Sequence, residues 1–82
     1  MKGIVLSNRI IEQFGNHLRM EEKSQNTIEK YIRDVTAFAE YLAGNSVRKE
    51  NAIAYKQHLQ DKGYAVRSIN SIIASLNTLF FF

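Results

Sequence analysis

SQNTIEKYIRDVTAFAEYL, residues 24–42, is the stretch on which the fold turns. Its apolar residues Ile28, Ile32, Val35, Ala39 and Leu42 recur at alternating steps of four and three, which is one stripe of an amphipathic helix. Tyr31, Val35 and Phe38 form a second stripe beside it. A helix with two adjacent apolar stripes is wedged between neighbours, so this segment is expected to be the central helix of a small bundle. Ser24 is placed to cap it by accepting from the free amides of the first turn. Gln25, Asn26, Thr27, Lys30 and Arg33 then cluster hydrogen-bonding and cationic groups near a helix end that favours anions.

Working outward, Ile10, Ile11, Phe14 and Leu18 give a preceding helix from about Leu6 or Ser7 to about Glu22, capped by Ser7 or Asn8. Gly15 lies inside it at a cost of roughly 1 kcal/mol relative to Ala. Glu21, Glu22 and Lys23 form a solvated connection. Beyond the central helix, Gly44 and Asn45 suit a left-handed helix end, and Ser46 to Arg48 connect to a third helix over about Lys49 to Lys62. That helix is expected to bury Ala52, Ile53, Tyr55 and Leu59, and to show Lys49, Glu50, Lys56, Gln57, Gln60 and Asp61 to water. Gly63 closes it.

The last helix, from about Val66 to the end, carries a stripe of Val66, Ile69, Ile73, Leu76 and Phe80, with Ile72 and Leu79 beside it. Its other face holds Arg67, Ser68, Asn70, Ser71, Ala74, Ser75, Asn77 and Thr78, a set of short neutral polar groups with a single charge. A face meant only for water is usually filled with better helix formers such as Glu, Lys, Gln and Arg. This face therefore either contacts another molecule or packs on a neighbouring helix of the same domain. Three consecutive Phe at residues 80–82 cannot all point inward from one helix, which suggests that the chain continues or docks there.

Eighty-two residues without Cys or Pro make one domain, residues 1–82, stabilised by packing alone. The expected fold is all-α, a compact four-helix bundle. A net charge of +3 permits a polyanionic partner without requiring one. No segment has the length and apolarity of a membrane span, and MKGIVLS lacks the features of a secretory signal, so a cytoplasmic location is the default expectation.

No HExxH, glycine-rich phosphate loop or Cys nucleophile occurs. The dispersed carboxylates are accounted for by surface pairs such as Glu29 with Arg33. The four tyrosines, Tyr31, Tyr41, Tyr55 and Tyr64, sit on or beside apolar faces as core residues do. No second His or Cys stands at metal-binding spacing from His17 or His58. No catalytic site, metal site or cofactor is expected. What remains is binding. The starts of the second and fourth helices carry the same kit of hydroxyls, amides and a few cations, groups that grip phosphate oxygens and read base edges. The other explanation is capping and solvation, which most helix starts show.

The run Ser24-x-Asn26-Thr27-x-x-x-Tyr31-x-x-Asp34-Val35-x-x-Phe38-x-x-Tyr41-Leu42 is followed by Tyr55, Leu59 and Gly63. Ser68-Ile69-Asn70-x-x-Ile73-x-x-Leu76-x-x-Leu79-Phe80 completes the pattern. Together they resemble the N-terminal core-binding, SAM-like domain of phage-integrase-family tyrosine recombinases, with Ser68 where Thr is commoner. The resemblance implies half of a DNA clamp whose second and fourth helices face the major groove of the core recombination site. It places the catalytic residues in a separate C-terminal domain, making this chain a non-catalytic part of a recombinase or integrase, cut where the linker begins. Met1 suggests that no arm-binding domain precedes it.

The expected partners are double-stranded DNA, the C-terminal catalytic domain of the same parent chain and other recombinase protomers on DNA, with no membrane. The expected DNA-binding residues are Ser24, Gln25, Asn26, Thr27, Lys30, Arg33, Arg67, Ser68, Asn70, Ser71 and Ser75. Lys30, Arg33 and Arg67, with Lys23 in addition, are assigned to phosphates. The rival expectation is a helical protein–protein interaction module using the last helix and the Phe-rich end.

Overall fold

The computed structural model describes residues 5–80, apart from the side chain of Lys49. Within them the chain forms α1 (Asn8–Met20), α2 (Gln25–Leu42), α3 (Lys49–Asp61) and α4 (Val66–Phe80). The fold is all-α. Central α2 packs on α1, α3 and α4, and most extensively on α4, while α3 also packs on α4.

The helix boundaries follow from local chemistry. Ser7 caps α1, its hydroxyl accepting from the Ile10 amide, and Ser24 caps α2 by accepting from the Thr27 amide. At the end of α3, the Gly63 amide donates to the Gln60 carbonyl and the Tyr64 amide to the Leu59 carbonyl. That pattern needs the left-handed φ of +86° that Gly63 supplies. The end of α1 repeats it with no glycine: Glu22 takes φ +60° while its amide and that of Lys23 return to Arg19 and Leu18. The end of α2 departs from expectation. Ala43, with Gly44, adopts the left-handed conformation there, and Asn45 does not.

Phe14 and Leu18 of α1, Ile28, Val35, Phe38 and Leu42 of α2, Tyr55 and Leu59 of α3, and Ile69, Leu76 and Leu79 of α4 form one core, with Leu6 and Val47 closing it. Phe38 sits at its centre, 5.0 Å from the Tyr55 ring and 6.4 Å from Phe80 between ring centroids. Gly15 is buried where α1 crosses close to Ile32 of α2. An isolated antiparallel bridge joins Val5 to Ser46.

Several expected burials are corrected. Ile53 is 61% exposed and Val66 73% exposed. Each lies on its helix's apolar stripe, but α3 offers only one side to the bundle, and Val66 is the first residue of α4 and overhangs the core. Of the tyrosines, Tyr55 is buried and Tyr31 half-buried, whereas Tyr41 and Tyr64 are exposed. Phe80 packs against the core; Phe81 and Phe82 lie outside the described residues. No helix among the described residues is long and apolar enough to cross a membrane.

Candidate nucleic-acid interface

The first turn of α2 owes its conformation to Ser24, which besides capping the Thr27 amide donates its own proton to the Thr27 hydroxyl oxygen at 2.8 Å. Ser24 is thus spent on the helix, while Thr27 keeps a hydroxyl proton with no acceptor among the described residues. Gln25 and Asn26 are exposed beside it. At the start of α4, Arg67, Ser68 and Asn70 are exposed and Ser71 is half-buried.

The two sets share one surface. A groove lined by Lys30, Arg33, Asp34 and Ala37 of α2 and by Arg67, Ser68, Ser71 and Ile72 of α4 has Tyr55, Leu59 and Tyr64 along its other wall. It is continuous, through Lys30 and Ser71, with a shallower depression formed by Asn26, Thr27, Tyr31 and Ala74. The helix starts are not apposed end to end. They are joined through the place where the middle of α2 meets α4, at Lys30, Asp34, Ser71 and Ser75.

That junction corrects the expectation for Ser75. Ser75 has no exposed surface; its hydroxyl donates to Asp34 Oδ2 at 2.7 Å and accepts from Lys30 Nζ at 3.1 Å. It cannot reach a ligand outside. The Lys30 ammonium also donates to Asp34 Oδ2 and, at 3.2 Å, to the Ser71 carbonyl. Its three protons therefore have three acceptors inside the chain. Asp34, only 8% exposed, supplies the opposite charge. The ion pair on α2 is therefore Lys30 with Asp34, not Glu29 with Arg33. Among the described residues, Arg33 and Arg67 make no ion pair, so the cationic character of the groove rests on them.

Tyr55 and Tyr64, expected as core residues, also line the groove. Tyr64 stands in the wall because it follows the Gly63 turn directly, a position legible from sequence only once that turn is recognised. Tyr55 lies deeper, and burial, then the Tyr64, Asp34 and Glu40 charges, push its hydroxyl above the ordinary value of 10.0.

The face of α4 opposite the groove is different. Ile73, Leu76 and Phe80 line an apolar cleft there with Val47, Ala52 and Ile53, rimmed by Arg48, Glu50 and Lys56. His17 pairs with Glu21 at 3.3 Å, and His58 packs on the Tyr41 ring at 4.8 Å. No cluster of metal-ligating side chains occurs among the described residues.

Comparison with known proteins places these features in a family context. Residues 11–82 match the model of the phage integrase N-terminal SAM-like domain. The whole chain is 34% identical to the tyrosine recombinase XerA of Pyrococcus furiosus, covering 28% of that protein. It is 33% identical over 78 residues to the tyrosine recombinase XerA of Pyrococcus horikoshii, covering 95% of this chain and 27% of the relative. The tyrosine recombinase XerA of Thermococcus kodakarensis is 33% identical over 75 residues, 92% of this chain and 26% of the relative. The chain thus spans little more than a quarter of the length of these relatives. No solved structure matches it.

Proposed function

The chain belongs to the family of phage integrase N-terminal SAM-like domains, and from that premise we propose that it is a DNA-binding domain of a tyrosine recombinase. It holds duplex DNA along α2 and the first half of α4, as one arm of a clamp on a recombination site. The observation that carries this reading is the shared groove. Asn26, Thr27 and Arg33 from one helix and Arg67, Ser68 and Ser71 from another line the groove and the depression adjoining it, and neither guanidinium makes an ion pair among the described residues.

Arg33 and Arg67 take phosphate oxygens, for which their planar forks are suited. Thr27, Ser68 and Ser71 donate to the sugar–phosphate backbone, and Gln25, Asn26 and Asn70 face base edges. Ser24 acts indirectly, by fixing the turn from which Thr27 projects. Strand cleavage belongs to a separate domain of the recombinase, which is the second partner, with further protomers on the same DNA as the third.

The test is duplex affinity as a function of salt for the Arg33→Glu/Arg67→Glu double variant. Loss of two phosphate contacts lowers the slope of log K against log salt by about 1.8. Unchanged affinity and slope would end the reading.

A protein-docking function is favoured by one observation, the apolar cleft that leaves Ile53 exposed. It predicts association insensitive to salt. Because the cleft lies on the other face of α4, both surfaces can be occupied at once, and the cleft suits a contact with the rest of the recombinase.

A further inference from the structure

The Lys30 ammonium sits at the edge of the groove, where a phosphate-binding lysine would be expected. The contacts around it argue otherwise. An ammonium group has three protons to donate, and those of Lys30 go to Asp34 Oδ2, Ser75 Oγ and the Ser71 carbonyl. Asp34 in turn is held from a second side by the Ser75 hydroxyl at 2.7 Å. The cluster lies between α2 and α4, with Ser75 fully buried and Asp34 nearly so. A phosphate could recruit Lys30 only by breaking bonds to an ion partner that is itself shielded from water.

Resting on the duplex-binding reading above, we propose that Asp34 is a positioning residue that withholds Lys30 from DNA and fixes α4 against α2. It thereby limits the affinity of the domain. The buried hydroxyl of Ser75 keeps the Asp34 carboxylate turned toward Lys30. The network holds one cation of the groove inside the chain. Duplex contact is left to the two arginines and the neutral groups.

The experiment is titration of a fluorescein-labelled mixed-sequence DNA duplex with the 82-residue chain over about 50 to 200 mM KCl. In Asp34→Asn the released Lys30 gains a phosphate, so binding tightens severalfold and the log–log slope steepens by about 0.9. In Lys30→Met/Asp34→Leu both charges leave together, and affinity and slope stay within error of wild type. A purely structural role for Asp34 would move stability but not the slope in Asp34→Asn. Circular dichroism confirms that each variant is folded; if Asp34→Asn is not, the double variant decides alone.

The inference is overturned if the double variant loses about 0.9 of slope, since Lys30 would then be a phosphate ligand. It is overturned equally if a folded Asp34→Asn binds as wild type does. Failure of the underlying reading looks different: Arg33→Met then leaves binding and slope unchanged.

Discussion

Replacing Ser75 with Ala removes one oxygen from the place where α2 and α4 are locked together. The hydroxyl makes two hydrogen bonds to charged partners, donating to Asp34 at 2.7 Å and accepting from Lys30 at 3.1 Å. Bonds of that kind contribute about 1.5 kcal/mol or more apiece. Two effects reduce the loss. Ala is the better helix former by about 0.5 kcal/mol, and Lys30, whose side chain keeps 33% of its surface exposed, can take a water in place of the hydroxyl. The expected net cost is about 2 kcal/mol, which for a domain of this size lowers Tm by roughly 8 to 16 °C. Thermal and urea unfolding followed by circular dichroism measure it. Asn70→Ala is the control, because Asn70 is exposed on the same helix and gains the propensity term without losing a buried bond. A Ser75→Ala protein as stable as wild type would refute the network as the joint between the helices.

Gly15→Ala is expected to stabilise the fold by about 0.5 to 1 kcal/mol. A Cβ there would meet Ile32 Cδ1 at 3.4 Å, contact with a flexible side chain; a lower urea midpoint would mean that Ile32 cannot yield to a Cβ at this crossing. Tyr55 predicts an alkaline limit to stability. Its hydroxyl is pushed above its ordinary value, first by burial, so the unfolded chain releases that proton before the folded one does. Stability is therefore intact below about pH 10 and falls as pH rises from there toward the folded value. Tyr55→Phe should flatten this part of the stability-against-pH profile, and an unaltered decline would assign the effect elsewhere.

Helix number, order and most boundaries were legible because periodicity and caps act locally. Ser7, Ser24 and Gly63 do in three dimensions what their chemistry dictates in sequence. Periodicity says which residues share a face, but not whether that face finds a partner. Ile53 and Val66 lie on apolar stripes and still face water, because no element of the described residues covers them. The left-handed Glu22 was hidden for a related reason: the short turn between α1 and α2 imposes the conformation, and nothing in Glu itself announces it.

The candidate site divides in the same way. That the starts of α2 and α4 contribute to one groove was suggested by their matching composition. That the polar face of α4 is split, with Arg67, Ser68 and Asn70 outward and Ser75 locked inside, depends on a contact across 41 residues between Asp34 and Ser75. Lys30 and Asp34 at i, i+4 look on paper like any solvated ion pair. Only the approach of α4 turns them into a half-buried joint.

The central claim is that duplex DNA lies along the groove between α2 and α4. Backbone amide shifts recorded while a DNA duplex is titrated into the chain test it most directly. The account predicts perturbations concentrated over residues 24–33 and 64–71, weakening as salt is raised, with α1 and the Ile53 side of α3 silent. Shifts centred on the apolar cleft of Val47, Ile53, Ile73 and Phe80, or spread evenly over all helices, would contradict it.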